Sequence, residues 1–126
     1  MGNKVRVNFE FELKTAPTIL FNYLSTPSGL SEWFADDVDI RDNVYTFKWG
    51  SSETLAQMVK MNPGKSIRFV WEGDEEEEYF ELEIQIDEIT ADLALMVTDH
   101  CEKGEEDETF RLWESQIHDL KIALGA

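Results

Sequence analysis

Basic side chains are scarce in this chain. Only 11 Lys and Arg stand against 27 Asp and Glu, giving a formal charge of −16 over 126 residues and a pI near 4.3. A field of that sign repels phosphate backbones and anionic lipid, so nucleic acid and membrane surfaces are disfavoured as partners. Cysteine is limited to Cys101, which excludes an internal disulfide framework. No apolar run approaches the roughly 20 residues a spanning helix needs. The opening MGNKVRVNF has no apolar h-region and no Ser or Thr at its sixth position, so neither a signal peptide nor myristoylation is expected. A cytoplasmic location is the default. The histidines are His100 and His118 alone, and neither lies beside a Ser or Cys at nucleophile–base spacing. No cofactor, metal set or catalytic signature emerges.

What is present is ample material for one core. Hydrophobic residues make up 42% and aromatics 12%, which argues against disorder despite the charge. With no linker and no repeat, residues 1–126 form a single domain. Val5, Val7, Phe9, Phe11 and Leu13 alternate with polar residues, a strand with one face inward. Pro17 then suits the first turn of a helix carrying Ile19, Leu20, Tyr23 and Leu24. Ser25-Thr26-Pro27 repeats the start signal for a second, short helix with Leu30, Trp33 and Phe34, ended by Asp36-Asp37.

Strands are expected at 38–42, 44–49, 54–61, 66–72, 79–89 and 92–100, separated by turn chemistry at Asp42-Asn43, Gly50-Ser51-Ser52 and Asn62-Pro63-Gly64-Lys65. Connections this short force an antiparallel meander. From Asp107 to Leu124, Trp113, Ile117, Leu120 and Leu124 recur at helical spacing. A terminal helix with one apolar stripe must cover a sheet, because neither element buries its apolar side alone.

The string APTILFNYLSTPSGLSEWF, set between a first strand and a strand meander, resembles the START-like (Bet v 1-like) superfamily. It is most similar to the group related to the activator of Hsp90 ATPase. The matching positions are Leu24, Pro27, Leu30, Trp33 and Phe34, with Trp113, Ile117 and Leu120 resembling the family's last helix. The resemblance implies an α+β helix-grip fold: a curved antiparallel sheet around a long C-terminal helix, with two short helices after the first strand and an apolar cavity between sheet and helix. It also implies a range of roles, from binding lipids or aromatic metabolites to cyclase chemistry or action on a chaperone.

Tyr45, Phe47 and Trp49 share one inward phase, as do Phe69 and Trp71, and Phe80 shares another with Leu82, Ile84 and Ile86. Gln57 falls in phase with Leu55, Val59 and Met61, a polar group aimed where apolar groups go. The candidate ligand-binding set is therefore Tyr45, Phe47, Trp49, Gln57, Phe69, Trp71, Phe80, Trp113 and Ile117. The alternative for the same aromatics is plain core packing, since Phe and Trp can fill a domain this small.

Two acidic runs, Glu72–Glu78 and Glu102–Glu108, fall at one end of the predicted meander and are expected to rim the cavity mouth. They lack EF-hand spacing, and solvated loops are the plainer reading. Asp99 shares phase with Leu93, Leu95 and Val97; buried there, its pKa would rise. Its place near a strand end favours exposure instead.

The leading expectation is a non-enzymatic domain binding a small apolar or aromatic ligand, as monomer or homodimer. The second is a co-chaperone-like interaction module whose acidic loops meet a basic protein partner, and the third a cyclase-like enzyme.

Overall fold

A computed structural model describes residues 4–126; the N-terminal Gly2, where the myristoylation question falls, lies outside the described residues. Strand β1 (Lys4–Leu13) is followed by helices α1 (Pro17–Ser25) and α2 (Pro27–Leu30). Six strands follow: β2 (Asp37–Arg41), β3 (Val44–Trp49), β4 (Ser52–Asn62), β5 (Ser66–Trp71), β6 (Phe80–Ile86) and β7 (Leu93–Glu102). Helix α3 (Glu106–Leu124) closes the chain. The sheet runs β1-β7-β6-β5-β4-β3-β2, with every neighbouring pair antiparallel. This is the α+β helix-grip architecture expected from the sequence. No helix among the described residues is long and apolar enough to cross a membrane.

Pro17 and Pro27 act as start signals, each in the first turn of its helix. Thr26 joins the helices: its hydroxyl donates to the Asn22 carbonyl at 2.7 Å and accepts from the Gly29 amide at 3.0 Å. Gly29 is required at this corner, since a Cβ there would stand 2.2 Å from the Asn22 carbonyl oxygen and 2.6 Å from Tyr23 Cα. Helix α2 ends at Leu30, earlier than expected, and Trp33 and Phe34 follow in turns that point both side chains into the core. The early stop lets two adjacent aromatics be buried together, which a continuing helix would rotate apart by about 100°.

Helix α3 follows its predicted stripe, burying Trp113, Ile117 and Leu120. Glu106, Asp107 and Glu108 occupy its first turn and Lys121 its last, both favourable to the helix dipole. Gly125 ends it in the left-handed conformation, φ 72°, where its amide reaches the Ile122 and Lys121 carbonyls. At the start of the helix Phe110 packs on β1, its ring centroid 5.2 Å from Phe9 and 6.0 Å from Phe11.

One strand departs from its expected phase. In β4 the register shifts between Met58 and Lys60, a β-bulge. Ala56 and Met58 face inward before the bulge and Met61 after it, so Gln57 lies exposed on the outer face, opposite Val44 and Val70. The predicted inward Gln57 is corrected accordingly. An extra residue in one strand breaks strict alternation, and Leu55–Met61 read as unbroken period 2 places the wrong set inside.

Candidate functional site

The aromatic set converges between sheet and helix, but as a packed cluster. Tyr45, Phe47, Phe69 and Phe80 are at most 1% exposed, and Trp113 and Ile117 are buried with them. Phe69 stacks on Phe80 at 5.1 Å, Tyr45 meets Phe69 edge-on at 4.9 Å, and Trp71 lies 5.2 Å from Phe80. At the centre sits a residue outside the predicted set. Phe34 lies 5.0 Å from Phe47, 5.8 Å from Phe80, 5.9 Å from Trp49, 6.0 Å from Trp113 and 6.3 Å from Trp71. It fills the space that a ligand would take if these residues lined an open cavity.

Hydrogen bonds hold this arrangement in place. Tyr45 donates its hydroxyl to the Ser25 carbonyl at 2.8 Å, and burial raises its pKa. Trp33 donates to the Tyr23 carbonyl and Trp49 to the Phe34 carbonyl, both at 2.9 Å. Trp33, the residue before Phe34, is thus tied to the frame by its indole, and Phe34 itself through the backbone carbonyl that Trp49 grips.

Outside Phe34 runs a groove of about 650 Å³ between residues 31–36, Trp49 and the C-terminal half of α3. Its apolar walls are Trp33, Phe34, Trp49 and Ile122, and Glu32, Asp36 and Asp119 supply carboxylates. Of the predicted ligand-binding residues, Trp49 alone lines it. Phe34 was visible in the Trp-aromatic pair of the resemblance motif, yet its turn gave no phase from which to assign it to the site. Asp36, Glu32 and Asp119 carry no sequence signal, because only the crossing of α3 over the 31–36 segment brings them together.

The acidic runs do share one end of the sheet. Lys4 begins β1 there, opposite Glu102, and its amine lies 3.7 Å from Asp74 and 4.0 Å from Glu78. They do not line the groove, whose carboxylates come from elsewhere. The expected acidic rim is corrected in that respect.

Asp99 and His100 show the two faces of β7. Asp99 points inward and accepts from the Trp113 indole at 2.8 Å and from the His100 amide at 2.7 Å. Burial pushes its carboxyl above the ordinary carboxylate value, and those two donors and the Lys4 charge offset part of the rise. His100 points outward, its Nδ1 donating to the Tyr79 carbonyl at 2.7 Å beside Arg68, whose guanidinium lies 3.8 Å over the Tyr79 ring and 3.3 Å from Glu81. Asp99 and His100 therefore do not act together on one substrate.

A seven-stranded sheet gripping a long C-terminal helix, with the interior sealed by aromatics and a groove along the helix, defines a helix-grip domain. The chain belongs to the START-like superfamily, whose domain description matches residues 1–126. No match was found among curated proteins. Among solved structures it is similar to BfR322 of Bacteroides fragilis, at 39% identity and a TM-score of 0.70, covering 96% of this chain and 90% of that one. The Aha1 dimer of Colwellia psychrerythraea is 20% identical with a TM-score of 0.74, covering 95% of this chain and 96% of that one. Protein MLL2253 of Mesorhizobium loti is 12% identical with a TM-score of 0.75, covering 96% and 97%. The last two likenesses concern the fold.

Proposed function

We propose that this chain is a non-enzymatic START-like domain that binds a small ligand with an apolar or aromatic body in the groove between residues 31–36 and α3. The observation that carries this reading is the position of Phe34, one side of which is packed in the aromatic interior while the residue also lines the groove. A groove of about 650 Å³ falls within the range that holds drug-sized ligands. Tryptophan and phenylalanine walls supply the apolar area, and Ser31 and Gln116 supply neutral polar groups to orient a ligand.

Nile red, a neutral dye, tests this directly. Its fluorescence should rise on mixing with the protein and fall when Ala123, a groove residue, is replaced by Trp to fill the space. Unchanged fluorescence, with native mass spectrometry giving the bare chain alone, would contradict the reading.

A second reading is an interaction module in which the acidic end of the sheet meets a basic protein surface. It is supported by the gathering of Asp74 and Glu78 around Lys4 and by the likeness to a protein described as an Aha1 dimer. Partner binding of this kind should weaken steeply with salt and disappear when Glu75–Glu78 are reversed in charge. Binding indifferent to both changes would remove it.

A further inference from the structure

We propose that the groove selects an organic cation, an amine or quaternary ammonium carried on an apolar or aromatic body. The inference rests on the groove reading above and adds the charge of the ligand to it. Glu32, Asp36 and Asp119 line the groove, and no Lys, Arg or His is among its lining residues. One Asp36 oxygen accepts from the Gly50 amide at 2.7 Å, which holds that carboxylate at the rim. Beside the carboxylates stands the part-exposed Trp49, backed by the buried Trp33 and Phe34, and an aromatic face attracts a cation through its quadrupole. Both features favour the same ligand charge.

The wider molecule reinforces that preference. A net charge of −16 raises the local concentration of cations around the whole surface. A fatty acid or other carboxylate would instead place its charge among three like charges. No three His, Cys, Asp or Glu side chains among the described residues come close enough together to hold a metal ion, so the groove carboxylates act as separate charges around an aromatic wall. The outer-face groove near Tyr79 is different, because Arg6, Arg68 and His100 there mix with Glu76 and Glu77. The groove along α3 instead combines an aromatic wall with charge of a single sign.

Three probes of nearly equal shape separate the outcomes: tryptamine, a cation; tryptophol, its neutral alcohol; and indole-propionate, an anion. In calorimetric titration of the intact chain, tryptamine should bind about tenfold more tightly than tryptophol, and indole-propionate most weakly. Added sodium chloride should weaken tryptamine and leave tryptophol unchanged. The double variant Glu32→Gln, Asp119→Asn should remove most of the advantage of tryptamine over tryptophol while tryptophol itself keeps its affinity. Equal binding of tryptamine and tryptophol, or a preference for indole-propionate, would overturn the charge selection and leave the groove reading standing. If none of the three binds, and Nile red does not either, the groove reading itself falls and this inference with it.

Discussion

The two sides of Phe34 are built from the same kinds of residue and differ in what they can do. On the inner side, Phe47, Phe69, Phe80 and Trp113 lie ring against ring with negligible exposure. On the outer side, the part-exposed Trp49 and the outer edges of the buried Trp33 and Phe34 line a groove with carboxylates around it. Aromatic content alone does not mark a binding site. What separates the packed core from the groove here is one side chain on a turn, held there by a helix that stops early.

The sharpest way to break that comparison is Phe34→Ala. Removing a buried Phe ring should lower unfolding stability by about 3–5 kcal/mol and join the groove to the interior. Chemical denaturation reads the loss, and apolar probes should then perturb Trp113, which they leave untouched in the native chain. A smaller effect is expected from Gly29→Ala, which forces a methyl group against the Asn22 and Tyr23 backbone. Overpacking of this kind costs about 1–3 kcal/mol. It should displace the 31–36 segment and weaken ligand binding, as measured by melting temperature and by probe titration together.

Trp113→Phe keeps most of the ring volume and removes the indole donor to Asp99. A buried carboxylate left short of a donor should cost about 1–3 kcal/mol at neutral pH. Asp99 also sets a pH dependence whose sign can be worked out. Its folded pKa is raised above 3.8, so the folded state holds this proton more tightly than the unfolded state does. Its contribution is therefore fully present below the unfolded value and is lost as pH rises through the folded value. In the window above pH 3.8, Asp99→Asn should flatten that part of the decline with rising pH, and Trp113→Phe should extend it to higher pH, both followed by denaturation across a pH series. The smallest effect is expected at Gln57, whose exposed place on the outer face predicts a change within about 0.5 kcal/mol for Gln57→Ala and no change in probe binding.

Much of this fold was legible in the sequence, for reasons visible at particular residues. Val44–Trp49 and the helix stripe of Trp113, Ile117 and Leu120 are regular repeats, and regular repeats map directly onto one face. Thr26 and Pro27 announced the start of α2 through capping and backbone geometry. The bulge in β4 was not legible, because Leu55 and Val59 imitate an inward alternation that ends on the truly inward Met61, while the inward residues before the bulge are the small Ala56 and the flexible Met58. The strand expected at 79–89 ends at Ile86, where Asp87 accepts from the Ile89 and Thr90 amides and turns the chain. The candidate site was only half legible. Its aromatics could be counted from the strands, but their closure by Phe34 and the meeting of Glu32, Asp36 and Asp119 depend on tertiary placement that no local period encodes.

The most direct test of the central claim is the response of the four tryptophan indole N–H signals to a neutral apolar probe such as tryptophol, recorded by NMR on the native chain. Binding outside Phe34 predicts saturable shifts at Trp33 and Trp49, with Trp113 unmoved because its indole stays bound to Asp99 behind the plug. A largest shift at Trp113, or no shift at any indole, would contradict it.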